Sequence, residues 1–215
     1  MTGKTKNLRR SVLPFVICTA LLLLAACTSV VSVVYPLNEN AAKARAGSYE
    51  LDPDHASVLF AVSHFGFSTF RGRFDTLSGS LDLDIDNPEN SSVTVIIETA
   101  SIHTGVSELD TQLIANDMFA AAENPIIQFT STSIDRTSDN TATINGILII
   151  AGIAKPVALL ARFVGSGTNP LTRKRTVGFY ATATLQRSEF NLKKWVPFVG
   201  DEVEITIDVE FNEDR

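Results

Sequence analysis

Apolar and polar residues alternate along most of the chain after residue 48. The last segment shows the pattern most clearly, with apolar residues at Val203, Ile205, Ile207, Val209 and Phe211. A repeat of two residues is typical of a β-strand that has one buried face and one solvated face. Further segments with this repeat are separated by turn residues such as Asn87–Asn90 and Asp139–Asn140. The pattern therefore predicts an all-β domain of about eight strands.

The segment from Val106 to Met118 is the exception, since its apolar residues Leu109 and Leu113 have helical spacing. Strands joined by short turns around one helical insertion favour an antiparallel meander. Closing such a meander removes the unpaired edges of an open sheet. We predict an eight-stranded antiparallel barrel with one short helical insertion, preceded by an N-terminal apolar targeting helix; a β-sandwich is the alternative to the barrel.

One strand bears on function because its apolar face ends in a histidine. Val58, Phe60, Val62 and His64 share this face, and a turn at Phe65–Phe67 follows. Barrels of this size are either filled by side chains or hold one small ligand, and the pattern alone leaves both open.

A second strand, Gly146–Ile150, is apolar on both faces. Either it is covered on both sides or its outward face contacts a partner, and a homodimer is one arrangement that stays open.

Residues 1–36 differ from the rest of the chain. Four basic residues between positions 4 and 10 precede an uncharged run that ends at Leu37, which is typical of an export signal. Leu24–Cys27 matches a bacterial lipobox, so we predict that Cys27 is lipidated. The alternatives are an uncleaved apolar helix that anchors the chain in the membrane and cleavage near Ala44–Ala46.

All three alternatives export the domain to the periplasm or cell envelope, where we expect it to be membrane-anchored through its N-terminus. The predicted organisation is a leader or anchor at 1–36, a polar linker at 37–47 and the barrel at 48–212. Both cysteines, Cys18 and Cys27, lie in the leader, so we expect no disulfide within the barrel.

The charge of the chain argues against a nucleic-acid partner. Its formal net charge is -6, and its basic residues are scattered apart from the leader and the run Arg173–Arg175. Phosphate binding requires a concentrated positive surface.

Several segments, in this order and spacing, resemble the YceI-like family of polyisoprenoid-binding proteins. They are Leu51–His55, Val58–His64, Gly72–Phe74, Ser101–Thr104, Asp117–Phe119, Pro125–Phe129, Gly146–Val157, Arg187–Phe190 and Val199–Val203. The chain departs from the family pattern at Asn191, where a glycine is common, and this indicates a locally different turn.

The resemblance implies an extended, lipocalin-like antiparallel barrel whose apolar interior takes the isoprenoid chain of a quinone or of a polyprenyl phosphate-type lipid. On this basis the residues expected to contact the ligand are Val58, Phe60, Val62, His64, Phe67, Phe74, Phe119, Phe129, Leu148, Leu159, Phe163, Phe179 and Ala181. We expect the lipid to be carried or sequestered without chemistry.

The domain has no nucleophile motif, glycine-rich phosphate loop or cysteine, so we do not expect an enzyme or a cofactor. An enzyme acting on the lipid head group and a structural, stress-related barrel with a filled interior are the alternatives. Asp52, Asp54 and His55 are typical of a turn, and we predict no metal site there. Trp195 and Phe198, beside two lysines, form either a membrane-contact loop or a loop packed over the barrel end.

Overall fold

Ten antiparallel strands form one continuous sheet in the computed structural model of this chain, which describes residues 37–214. The strands are β1 (Gly47–His64), β2 (Ser68–Phe74), β3 (Leu77–Leu83), β4 (Ser92–Glu98), β5 (Ile102–His103), β6 (Ile126–Arg136), β7 (Thr141–Ile150), β8 (Ile153–Thr168), β9 (Arg175–Gln186) and β10 (Val199–Glu213). Among the described residues there is one α-helix, α1, which spans Ser107–Leu113. Short 3₁₀ turns lie at Ala41–Lys43, Pro88–Asn90, Thr99–Ser101 and Arg187–Phe190.

The predicted leader, its targeting helix and the lipidation site Cys27 lie outside the described residues. Within residues 37–214, no helix combines the length and the apolar composition needed to cross a bilayer.

The sheet closes because β1 pairs with strands on both of its edges. Along one edge it pairs with β10; along the other it pairs with β3 near its start and with β2 near its end. From β3 the neighbours run through β4, β6, β7, β8, β9 and β10 back to β1, so eight strands complete the ring. The prediction of an eight-stranded antiparallel barrel with one helix is confirmed, and the β1–β10 pairing is what distinguishes it from a β-sandwich.

The helix is shorter than the sequence predicts. The chain leaves α1 at Ile114 and folds back, so that the amide of Phe119 donates to the carbonyl of Leu113 and the amide of Ala121 donates to that of Ile114, both at 3.0 Å. This return brings Met118 and Phe119 over the barrel interior instead of extending the helix away from it.

The two ends of the barrel differ. One end is called the base here. At the base, residues 37–47, which the sequence predicts to be a linker, pack against the strands. Ala44 is 6% exposed, and Asn38 and Ser166 exchange two backbone hydrogen bonds of 2.9 Å. The Tyr49 hydroxyl donates to the carbonyl of Arg45 at 2.7 Å. The other end, called the rim end, carries the β1–β2 and β9–β10 connections.

The strand β7 has two apolar faces, as its sequence indicates. Leu148 and Ile150 face the barrel interior, whereas Ile147 points outward and is exposed. A homodimer through this outward face stays a prediction.

Candidate ligand cavity

The barrel encloses a cavity of about 750 Å³. Inward residues of every strand of the sheet contribute to its wall, and nearly all of them are aliphatic or phenylalanine. The apolar lining of the cavity follows from the alternation of the strands, since each strand turns one apolar face toward the barrel axis. Its volume lies within the roughly 300–1,000 Å³ typical of small-molecule sites.

Thirteen side chains are predicted from the sequence to contact a ligand, and the structure places all but one on the cavity wall. The wall residues are Val58, Phe60, Val62, His64, Phe74, Phe119, Phe129, Leu148, Leu159, Phe163, Phe179 and Ala181. Their contact with a ligand stays a prediction.

Phe67 is the thirteenth, and its placement corrects the sequence interpretation. The backbone enters the left-handed region at Phe65 (φ 52°) and Gly66 (φ 72°), which ends the alternation of β1. Phe67 therefore points away from the interior and is 91% exposed.

A row of small side chains keeps the cavity open. Ala142, Ala161 and Ala181 lie directly opposite one another on β7, β8 and β9, and all three face the cavity. Larger residues at these positions would meet near the barrel axis. The sequence shows each alanine, but only the strand register shows that they are neighbours.

Two glycines let phenylalanine rings lie against the wall. A Cβ at Gly72 would overlap the ring of Phe60, and a Cβ at Gly146 would overlap the ring of Phe129 and the carbonyl oxygen of Thr130. Glycine in a strand interior often marks such a close approach. The rings thereby cover the glycine backbone and leave the lumen free.

Aromatic side chains surround the cavity where it reaches the rim end. The His64 ring packs edge-on against Phe65, with ring centroids 4.7 Å apart, and the Phe65 ring stacks on Phe198 at 5.6 Å. Within the described part of the chain, the His64 imidazole has no hydrogen-bond or ion-pair partner. It is thus a polar group on an otherwise apolar part of the wall.

Arg187 holds the β9–β10 connection in place, a role that the sequence pattern does not reveal. Its guanidinium is buried and donates to the carbonyl oxygens of Leu192, Lys194, Val199 and Gly200. Burial lowers the pKa of Arg187, and the charge of nearby Asp201 opposes that change.

Two further features fix the same connection. The Asp201 carboxylate accepts from the amide of Ser188 at 2.8 Å and from its hydroxyl at 2.6 Å, and the hydroxyl hydrogen bond is the main reason that the pKa of Asp201 is lowered. Asn191 takes a left-handed conformation (φ 62°, ψ 12°). This conformation favours glycine, and asparagine adopts it more readily than most residues do, so the turn keeps a glycine-like backbone.

One cluster in residues 37–214 has the composition of a metal site, but it lies outside the cavity. Ligand atoms of Asp52, His55 and Glu210 all lie within 4.8 Å of one another. Asp52 already accepts hydrogen bonds from His55 at 3.1 Å, Asn212 at 2.9 Å and the Asp54 amide at 3.1 Å. The cluster lies at the bulge where β1 shifts register against β10.

These hydrogen bonds shift the pKa values of His55 and Asp52. The hydrogen bond to Asp52 is the main cause that raises the pKa of His55. Burial alone would raise the pKa of Asp52, but the hydrogen bonds from Asn212, His55 and the Asp54 amide together lower it.

Comparisons with known proteins agree with this architecture. A family model of YceI-like domains matches residues 49–211. A UPF0312 protein of Ectopseudomonas mendocina is 35% identical over 170 residues, which are 78% of this chain and 88% of that protein.

Two solved structures share the fold. The crystal structure of Burkholderia cenocepacia BcnA superposes with a TM-score of 0.68 at 24% identity, covering 74% of this chain and 98% of that one. A polyisoprenoid binding domain from Saccharophagus degradans, implicated in plant cell wall breakdown, superposes with a TM-score of 0.60 at 12% identity, covering 79% and 100%.

Proposed function

Because this chain belongs to the family of YceI-like domains, we propose that it binds an isoprenoid lipid inside the barrel and carries or sequesters it in the cell envelope. The observation that carries the proposal is the cavity of about 750 Å³ with an almost wholly apolar wall. A barrel with a filled interior would not contain such a space. The Saccharophagus degradans domain of the same fold is a polyisoprenoid binding domain, which supports this ligand class.

The size of the cavity suggests a tail length. A carbon-sized group occupies roughly the 30 Å³ of a liquid water molecule, so 750 Å³ has room for about 25 such groups, or about five isoprene units. Burial contributes about 0.8 kcal/mol per CH2 before the entropy cost of ordering the chain. A tail of this length therefore binds with few polar contacts.

We place the lipid head group, that of a quinone or a polyprenyl phosphate, at the rim end beside His64. This imidazole borders the cavity and has no hydrogen-bond or ion-pair partner among the described residues. It can donate a hydrogen bond to a quinone carbonyl or a phosphate oxygen. No carboxylate or hydroxyl within residues 37–214 forms a hydrogen bond or ion pair with it, an arrangement that suits binding better than acid–base catalysis.

The envelope location rests on the leader. A basic start, an apolar run and the lipobox at Leu24–Cys27 support export and tethering of the N-terminus to a membrane. Intact-mass measurement of the protein purified from its own host tests this part, since lipidation of Cys27 predicts a lipid-modified N-terminus and cleavage near Ala46 predicts a shorter, unmodified chain.

Binding is tested by native mass spectrometry of the protein from its own host, followed by lipid extraction. We expect one isoprenoid lipid per chain. A series of prenyl alcohols of three to ten isoprene units should then bind the lipid-free protein with an affinity that rises up to about five units and changes little beyond. Absence of a bound lipid together with no affinity for any member of the series would refute the proposal.

A further inference from the structure

Two adjoining loops at the rim end leave large apolar side chains in solvent. We call these residues the aromatic rim: Phe65, Phe67, Trp195, Val196 and Phe198. Phe67 is 91% exposed, Phe198 63% and Phe65 52%. The loops are joined by a hydrogen bond of 2.7 Å from the Phe65 amide to the Phe198 carbonyl and by stacking of the two rings. A contiguous patch of exposed apolar side chains is typical of a surface that contacts an apolar partner.

The rim is basic in a chain that is otherwise acidic. Segments 64–72 and 191–200 contain Arg71, Lys193 and Lys194, whereas none of the 24 acidic residues of the chain falls in either segment. Lys194 contacts the carboxylate of Asp117 at 2.7 Å and lies 5.0 Å from the centroid of the Trp195 ring. Arg71 and Lys193 are exposed, and neither forms an ion pair within residues 37–214. Two basic side chains are thus available to an anionic surface.

The aromatic rim is continuous with the cavity. Phe65, Trp195 and Phe198 have exposed surface and also border the cavity. A tail that moved from a bilayer into the barrel through water would expose its methylene groups, each at a cost of about 0.8 kcal/mol. Direct contact between this end of the barrel and the bilayer avoids that exposure.

We propose that the aromatic rim docks on a lipid bilayer that contains anionic head groups, and that the lipid tail passes between bilayer and cavity through it. Aromatic residues prefer the membrane–water interface, and basic residues near it are attracted by anionic lipids. The passage of the tail rests on the proposed function, whereas docking depends only on the rim.

Trp195 is the single tryptophan of the chain and therefore reports on the rim alone. The full chain is mixed with vesicles of phosphatidylcholine and phosphatidylglycerol, three to one, whose phosphatidylcholine has brominated acyl chains. We expect these vesicles to quench Trp195 fluorescence. The double substitution F67S/F198S should lower quenching at least about tenfold at limiting lipid, because two exposed rings no longer enter the bilayer. L171S is the matched control, since Leu171 is 90% exposed on the β8–β9 connection at the base and should leave quenching unchanged.

A cavity-blocking variant separates docking from uptake of the brominated lipid. In A161F a ring occupies the lumen but the rim is intact, so quenching should equal that of the unmodified chain. Quenching that persists in F67S/F198S, or that disappears in A161F, would overturn the docking proposal, because the brominated chain would then reach Trp195 inside the barrel. Failure of the proposed function has a different signature: no isoprenoid binds in native mass spectrometry while rim-dependent quenching remains.

The charge of the rim is tested with vesicles of brominated phosphatidylcholine alone. Without phosphatidylglycerol, we expect weaker quenching that no longer depends on salt, since the attraction of Arg71 and Lys193 is lost. Equal quenching by both vesicle types would overturn the requirement for anionic head groups.

Discussion

Replacing Ala161 by phenylalanine should block the cavity without harming the fold. Ala161 faces the lumen between Ala142 and Ala181, so a ring at this position can extend into free space. The six added carbons occupy roughly 180 Å³ at about 30 Å³ each, about a quarter of the 750 Å³ cavity. They displace about one isoprene unit of the ligand, which corresponds to about 4 kcal/mol of gross burial.

Part of that loss is recovered when the tail protrudes or shifts, so we expect the measured affinity to fall at least tenfold, or about 1.4 kcal/mol. The assay is the dissociation constant of a five-unit prenyl alcohol for lipid-free protein. The matched control is L160F, since Leu160 precedes Ala161 on β8 but points outward and is 62% exposed. Thermal unfolding should show A161F to be as stable as the unmodified chain.

Two results would refute this reasoning. Equal affinity of A161F, L160F and the unmodified chain would mean that the lipid does not occupy the lumen beside the alanine row. A loss of stability of about 1–3 kcal/mol in A161F, typical of adding a large side chain to a filled core, would mean that the interior is packed rather than open.

The remaining predictions concern the scaffold. R187M should lower the free energy of unfolding by about 3 kcal/mol in urea titrations, because four buried or partly buried backbone carbonyls lose a charged donor; a loss below about 1 kcal/mol would contradict the role given to Arg187. G146A should destabilise the barrel more than G72A in the same assay, since the Cβ added at Gly146 meets a backbone carbonyl as well as a ring. Equal losses of unfolding free energy in the two variants would argue against the close approach of Gly146 to β6. The raised pKa of His55 means that its stabilising contribution is complete below its ordinary value of 6.5 and is lost as pH rises through the folded-state pKa. The lowered pKa of Asp52 means that its contribution is present above 3.8 and is lost as pH falls through its folded-state pKa. In an NMR titration, D52N should return His55 toward 6.5, and an unchanged His55 pKa would disprove the coupling.

Much of the site can be predicted from local sequence patterns, and the errors of this prediction are local too. The face of β1 that carries Val58, Phe60 and Val62 is predicted correctly because alternation ties each side chain to one side of a strand. Phe67 is misplaced because the alternation ends at a left-handed backbone, which the residue types Phe65–Gly66 only suggest. Arg187 is missed because its acceptors are backbone carbonyls, which every residue has.

By itself, the sequence determined that this chain consists of amphipathic strands with one apolar face, since a repeat of two residues and short turns act over a few neighbours. Only the tertiary structure decided that the strands close into a barrel, that its interior is hollow and that the rim is both aromatic and basic. These properties depend on residues far apart in the chain becoming neighbours: Ala142, Ala161 and Ala181 meet through the register of three strands, and Phe65 meets Phe198 because β10 closes on β1. Register and closure are set by the whole ring of strands, so no local segment contains them.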